Sequence, residues 1–277
     1  MLTWMYGKFM RSFLWSMRPS GWLLLQEKIV NLSFLRFQDF GNFMDQSSTL
    51  VHTRIYGLEY SGRRVLVVGN GNSGMEIAFG PRKSWCSTLL AVCGQVHILP
   101  RDILGISTFL LTSTLLRLRV PIWLVYCILL FYAWLLYGSL SSLGFSRSNE
   151  EPMEVKLKVG KTPVLDVGAL SQIKSGLIKV LTGVASFCKK GATFKNEETL
   201  HFDTIIMATG YKSNMCTWLE GGEDLFNVSG HPKAAYPGGW KGEKGMFAAG
   251  LTRRGLRGSC HDAEEIAAEI EKLQLST

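Results

Sequence analysis

The stretch Val65-Leu-Val-Val-Gly69-Asn70-Gly71-Asn72-Ser73-Gly74-Met-Glu-Ile77 constrains the fold more than any other part of the chain. Four apolar residues follow Arg63 and Arg64, the pattern of a strand buried on both faces of a parallel sheet. Gly69, Gly71 and Gly74 then fall at G-x-G-x-x-G spacing, with Asn70, Asn72 and Ser73 between them, and a helix is expected from near Ser73. Each glycine has its own physical task. Gly69 permits a tight strand-to-helix turn, Gly71 lets backbone approach a pyrophosphate, and Gly74 lets helix and strand pack closely. The anion would rest on amide N–H groups at the positive end of the helix. The same glycines in a purely structural turn are the bland alternative. The strand before them and the helix after them favour the nucleotide reading, and an α/β, Rossmann-like class.

The residues after this unit extend the pattern. The helix beginning at Met75 should stop at Gly80-Pro81, because proline cannot continue it. Residues 82 to 95 show no clean helical face. Gln95-Val-His-Ile-Leu99 reads as the second strand, closing a βαβ unit of about 30 residues. The end of that strand selects the cofactor: a carboxylate binds an NAD ribose, and an arginine accommodates the 2′-phosphate of NADP. Arg101 follows directly and favours NADPH, while Asp102 keeps NAD open. A surface arginine capping the sheet edge is the structural alternative.

Ile103 to Leu143 is the apolar part of the chain. Val120 to Tyr137 carries no charge and is about long enough to cross a bilayer. Arg117 and Arg119 flank it, and Trp123, Tyr132, Trp134 and Tyr137 are placed as interfacial aromatics. Pro121 near its start and Ser139 to Ser142 at its end argue for a helical insert, buried or resting on a membrane, over a spanning segment. Membrane-surface contact through residues 104–144 is accordingly an expectation. The net charge of +8 suits a phosphorylated cofactor or an anionic surface. No run of five basic residues and no nucleic-acid motif occurs, so nucleic acid is not expected as a partner.

From Glu150 the composition is that of an ordinary soluble domain. Ile178–Val180, Val184–Phe187, Ala192–Phe194 and Thr199–Phe202 read as a β-meander. Phe202 to Met207 is a buried strand ending in Ala208-Thr209-Gly210-Tyr211, where a cofactor can lie against backbone; a plain turn is the alternative. Gly245 to Asp262 joins a strand, a glycine-rich basic loop and a helix, with Ser259 and Asp262 at capping-box spacing. Ile266, Ile270 and Leu273 form that helix's apolar stripe. The six cysteines are scattered without a C-x-x-C pair, which disfavours a zinc knuckle or a dithiol centre and fits reduced thiols in a cytoplasmic protein. Association with the endoplasmic reticulum membrane is the alternative. Residues 1–55 are a leader read either as an amphipathic surface helix or as a segment without structure. Residues 56–150 form the dinucleotide domain with its apolar helices, and 151–277 a meander with the remnant of a second nucleotide-binding domain.

Together, Arg63 to Ile77, Met207 to Asn214 and Gly245 to Gly258, with Gly160 to Asp166, resemble plant flavin-containing monooxygenases of the YUCCA type. The resemblance runs from about Tyr56 to the C-terminus. It implies a flavoprotein with two dinucleotide-binding domains, one for FAD and an inserted one for NADPH. NADPH reduces FAD, the reduced flavin activates O2, and one oxygen passes to a small-molecule substrate. For this type the substrate is indole-3-pyruvate, decarboxylated to the auxin indole-3-acetate. Gly69 to Gly74, Arg101 and Thr209 to Tyr211 become the expected cofactor contacts. The family's own FAD fingerprint has no counterpart in this sequence, so the chain reads as a member truncated at its N-terminus. The alternatives are an NADPH-binding chain without catalysis and a membrane-associated interaction protein.

Overall fold

The computed structural model describes residues 61–80, 87–146, 163–188, 191–213, 219–228, 230–234, 238–242, 245–251 and 255–275, and the backbone of short strands at 16–17, 21–25, 30–32 and 47–49. The chain divides into two compact units, residues 33–210 and residues 1–32 with 211–277.

In the first unit the strands are β1 (Ser47–Thr49), β2 (Arg64–Val68), β3 (Ser87–Ala91), β4 (Ile98–Pro100), β5 (Val164–Asp166), β6 (Ile178–Leu181), β7 (Val184–Cys188), β8 (Gly191–Phe194), β9 (Thr199–His201) and β10 (Thr204–Met207). Its helices are α1 (Asn72–Phe79), α2 (Thr108–Arg117), α3 (Ile122–Tyr137) and α4 (Ala169–Lys174). Five strands form a parallel sheet in the order β6-β3-β2-β10-β1. The fingerprint strand β2 is the central strand of the five: Val65, Leu66, Val67 and Val68 are wholly buried, and so are Ile205 and Ile206 of β10 beside it. Near-continuous apolar strands of this kind are what a sheet covered on both faces requires.

Helix α1 packs Met75 and Ala78 into a core with Val67, Leu90, Ile98, Val164, Leu170 and Ile178. It ends before Gly80, as the Gly-Pro pair demands. The meander is real but shorter than the sequence pattern indicates. β7, β8 and β9 form an antiparallel three-stranded sheet, whereas Ile178–Leu181 joins the parallel sheet beside β3.

The second strand of the βαβ unit also differs from expectation. Ser87–Ala91 takes the place next to β2, in register from Val65 opposite Thr88 to Val68 opposite Ala91. Ile98–Pro100 instead pairs with β5 in a separate two-stranded parallel sheet. Thr88, Leu89, Leu90 and Ala91 are all buried, so this strand has no solvent face and shows no alternation in sequence.

The apolar stretch is helical over α2 and α3. Val125, Leu129 and Ala133, four residues apart on α3, pack with Leu99 and Ile103. The far end of α3 is tied down by Tyr137 and Lys174: the ammonium lies over the Tyr137 ring at 5.9 Å and donates to the Leu136 carbonyl at 3.4 Å. Burial, and then the Asp166 carboxylate beside it, hold the Tyr137 phenol far above its ordinary range, so it stays a hydrogen-bond donor. Among the described residues no helix is long and apolar enough to cross a membrane.

In the second unit, β11 (Met246–Ala249) lies parallel to Gly21–Leu25, which also pairs antiparallel with Ser16–Met17. Val30–Leu32 pairs antiparallel with Tyr211–Ser213. Segments read from sequence as a helical or structureless leader thus supply strands, and the rest of that region lies outside the described residues. Helix α5 (Gly255–Leu275) buries Ile266 with Trp240, Phe247 and Ala249, and Ile270 packs at the edge. Leu273, the third residue of the expected stripe, is exposed. The capping box is not formed, because α5 starts four residues before Ser259.

Gly69 sits at φ +121°, and a Cβ built on it would overlap the Ala208 carbonyl oxygen. Gly69→Ala should therefore cost about 2–4 kcal/mol, through backbone strain and a clash with immobile backbone. Thermal unfolding of the variant should show a clearly lowered Tm, and a Tm equal to wild type would contradict the packing described.

Candidate functional site

The site lies at the carboxyl ends of β2 and β10. The Gly69 amide donates to the Ala91 carbonyl at 3.0 Å, and the Ala208 amide donates to the Val68 carbonyl at 2.8 Å. The loops after both strands are therefore held edge to edge. This brings Gly69–Gly74 beside Ala208–Gly210, two segments well over a hundred residues apart in sequence. A Cβ at Gly74 would run into the Gly69 carbonyl oxygen, so helix α1 approaches the strand as closely as only glycine allows.

Gly71 behaves differently. Among the described residues nothing lies within 4 Å of a Cβ built there, and its φ of −77° is open to any residue. No contact among the described residues explains its lack of a side chain. Glycine at this point leaves room for an outside group against the backbone. Gly71 caps α1 with no side-chain hydrogen bond and no acidic residue in the first turn. The first-turn amides of Asn72, Ser73 and Gly74 thus face an open edge with the positive end of the helix behind them. This arrangement fits an anion such as a pyrophosphate.

The two asparagines hold the cradle in place with their side chains. Asn70, buried, donates from Nδ2 to the Gly94 carbonyl at 2.7 Å and accepts the Cys93 amide on Oδ1 at 3.3 Å. Asn72 accepts the Leu165 amide at 2.8 Å and reaches the Pro163 carbonyl at 3.5 Å, which fastens the start of α1 to β5. Their sequence positions point to the ligand, but their side chains point to the protein. Ser73 is exposed at the open edge, Thr209 is half-buried, and Gly210 is exposed with φ +89°. Tyr211 begins the strand that pairs with Val30–Leu32.

Arg101 is exposed and follows β4, in the smaller parallel sheet. It does not follow the strand beside β2. That place belongs to Val92-Cys93-Gly94-Gln95, a turn that the sequence pattern did not single out. The only signal for it was the distance from the fingerprint, since a ribose-reading residue stands about 20 residues on. In the second unit, Asp262 is fully buried and accepts the Gly250 amide on Oδ2 at 3.0 Å, linking the end of β11 to α5. A Cβ at Gly250 would meet the Ser259 hydroxyl at 3.0 Å. Asp262 therefore pins the strand end to the helix instead of closing a capping box, with Ser259 packed close by.

Against known proteins, no family model matches the chain. Probable indole-3-pyruvate monooxygenase YUCCA1 of Arabidopsis thaliana is 49% identical over 223 residues, which is 80% of this chain and 53% of the relative. Indole-3-pyruvate monooxygenase YUCCA1 of Oryza sativa subsp. japonica is 40% identical over 237 residues, 85% of this chain and 58% of the relative. The chain is similar in sequence to the YUCCA monooxygenases over most of its own length. It spans about half the length of the curated relatives it matches. Among solved structures, a flavin-containing monooxygenase from Stenotrophomonas maltophilia superposes with a TM-score of 0.56 at 14% identity, covering 86% of this chain and 58% of that one. An oxidized steroid monooxygenase bound to NADP gives 0.55 at 13% identity, covering 92% and 61%. These likenesses show the fold: the α/β, Rossmann-type architecture of flavin monooxygenases.

The Asn70 anchor generates a specific expectation. Asn70→Ala removes the side-chain partner of the part-buried Gly94 carbonyl and Cys93 amide, at a cost of about 1–2 kcal/mol. Amide hydrogen exchange at Cys93 should accelerate markedly in this variant while the β2 amides stay protected; unchanged exchange at Cys93 would show that Asn70 does not hold the turn.

Proposed function

We propose that the chain carries the NADPH-binding half of a flavin-dependent monooxygenase of the YUCCA type. The reaction is oxidative decarboxylation: indole-3-pyruvate, O2, NADPH and a proton give indole-3-acetate, CO2, NADP+ and water. The observation that carries this reading is the open backbone at Gly71, between two glycines that the fold itself requires. The names of the homologues supply the substrate, and those of the structural neighbours supply the cofactors.

In this reading the amides of Gly71 to Gly74 bind the NADPH pyrophosphate, with charge supplied by the helix end. Thr209 and Gly210 pass along the same edge and contact cofactor through backbone. FAD, when bound, supplies the oxygen chemistry, and no side-chain nucleophile is needed. The chain's own work is to place the nicotinamide and keep water out. A second reading, dinucleotide binding without flavin, is favoured by the single G-x-G-x-x-G in the sequence. We place the chain in the cytoplasm, a reading supported by Cys127, Cys188 and Cys260, which form no disulfide.

We further propose that α2 and α3 rest on a membrane surface. Trp123, Phe131 and Trp134 are 56%, 63% and 57% exposed, and Phe109, Ile128 and Leu135 extend the same apolar surface. Arg117 and Arg119 are exposed at the corner between the helices, and no acidic residue occurs from Ile103 to Asn149. An uncovered apolar face with aromatics and a basic edge is the composition of an interfacial helix. Co-sedimentation with vesicles containing phosphatidylserine should capture the chain, and Phe131→Glu with Trp134→Glu should release it. Capture unaffected by those changes would count against this surface.

The cofactor proposal is tested by absorbance and binding together. Purified chain mixed with FAD should retain a flavin that NADPH bleaches without air and O2 restores. Gly71→Val should keep the wild-type Tm yet weaken NADPH at least about tenfold, since the added side chain meets only the ligand's space. NADPH binding without retained flavin would favour the second reading, and a Gly71→Val chain that binds NADPH normally would remove the site.

A further inference from the structure

We propose that the dinucleotide site reads the cofactor's adenosine ribose with the turn Val92-Cys93-Gly94-Gln95, and that this turn admits NADH and NADPH with nearly equal affinity. The inference rests on the nucleotide reading of Gly69–Gly74.

In a fold of this class the residue just beyond the strand beside the fingerprint strand meets the ribose. A carboxylate there binds the 2′-hydroxyl of NADH, and an arginine binds the 2′-phosphate of NADPH. That strand is β3, which runs parallel to β2 over its whole length. Cys93 lies 19 residues beyond Gly74, the interval at which the ribose-reading residue stands.

The turn is also fixed against the cradle. Asn70, inside the fingerprint, holds the Cys93 amide and the Gly94 carbonyl with opposite ends of one carboxamide, at 3.3 and 2.7 Å. The Gly69 amide bonds to the last residue of β3, Ala91, at 3.0 Å. A ligand seated on the Gly71–Gly74 amides therefore meets this turn in a set position. Cys93 and Gln95 are exposed, Val92 is half-buried, and none of the four residues bears a charge.

Selectivity follows from what those side chains offer. A 2′-phosphate gains a large advantage from a charge-assisted, two-pronged arginine contact, which this turn does not provide. A 2′-hydroxyl gains its advantage from a carboxylate, which is equally missing. Gln95 provides a neutral amide that serves a hydroxyl or a phosphate oxygen about equally well. Arg101 does not replace the missing arginine by position, since it follows β4 in the other parallel sheet.

The experiment is equilibrium titration of the purified full chain with NADPH and with NADH, followed by nicotinamide fluorescence and by calorimetry without substrate. Thiols are kept reduced, and the salt is about 0.15 M so that the overall positive charge is largely screened. The two dissociation constants should agree within about fivefold, the range left by neutral hydrogen bonds. Cys93→Arg should tighten NADPH by about tenfold or more and leave NADH unchanged. Cys93→Asp should weaken NADPH and spare NADH, so a poorly folding arginine variant does not decide the matter. Wild-type chain binding NADPH more than about fivefold tighter than NADH overturns the inference, and loss of that preference in Arg101→Ala would assign the phosphate to Arg101. Binding of neither cofactor overturns the nucleotide reading itself, a result distinct from a wrong ratio.

Discussion

The close approach of two backbone segments, Gly69 against Ala208 and Gly74 against Gly69, is the constraint on which the first unit depends. Strands β2 and β10 lie side by side, so the loops leaving them must pass each other within atomic contact. A side chain on either glycine would strike a carbonyl oxygen belonging to the sheet's own edge. Because both residues are held to neighbouring strands through their amides, Gly69 to Ala91 and Ala208 to Val68, the conflict has no cheap relaxation. Removing the side chains is the solution, and it brings the start of α1 directly over the strand ends. An edge suited to an anion is thus a by-product of packing geometry, since the first-turn amides have no partners within the helix.

What keeps this edge in one conformation is a pair of carboxamides. Asn70 ties the fingerprint to the turn after β3, and Asn72 ties it to β5. Each satisfies backbone groups that would otherwise be left over at strand ends. Through these bonds the cradle is braced from two directions by elements distant in sequence. The helices α2 and α3 join the same framework through Leu99, Ile103 and the buried row Val125, Leu129 and Ala133. The opposite face of α3 is as apolar as the buried one, which sets it apart from an ordinary surface helix.

Much of this was legible in the sequence, and the failures have definite causes. The fingerprint strand, its glycine turn, the end of α1 at Gly80 and the buried strand before Thr209 were all readable, because each combines a periodicity with a breaker. The strand Ser87–Ala91 was not. A strand buried on both faces gives no alternation, and Ser-Thr-Leu-Leu-Ala has little β-branched content to mark it. Gln95 to Leu99 has the better strand appearance and drew the assignment, although only its last residues pair, and with another sheet. That one displacement put Arg101, and not Cys93, just beyond the strand taken to lie beside β2. The Ser259–Asp262 spacing misled in a similar way: two polar residues three apart mimic a cap, whereas Asp262 bonds across to Gly250 from within the helix. Local spacing reports local structure, and these residues answer to partners beyond their own segment.

The site therefore combines two kinds of determinant with different sensitivity to sequence change. In the proposed site, affinity for the pyrophosphate rests on backbone amides, a helix end and three glycines, two of which the packing itself requires. Discrimination at the ribose, on the proposal above, would come from side chains on a four-residue turn whose backbone Asn70 holds through the Cys93 amide and the Gly94 carbonyl. Cys93 can thus change identity without disturbing the bonds at its amide or at the Gly94 carbonyl, so the fold exerts no pressure to keep a charged residue there. On that proposal, nucleotide binding is secured by the architecture, and the choice of nucleotide is left to the side chains of the turn after β3.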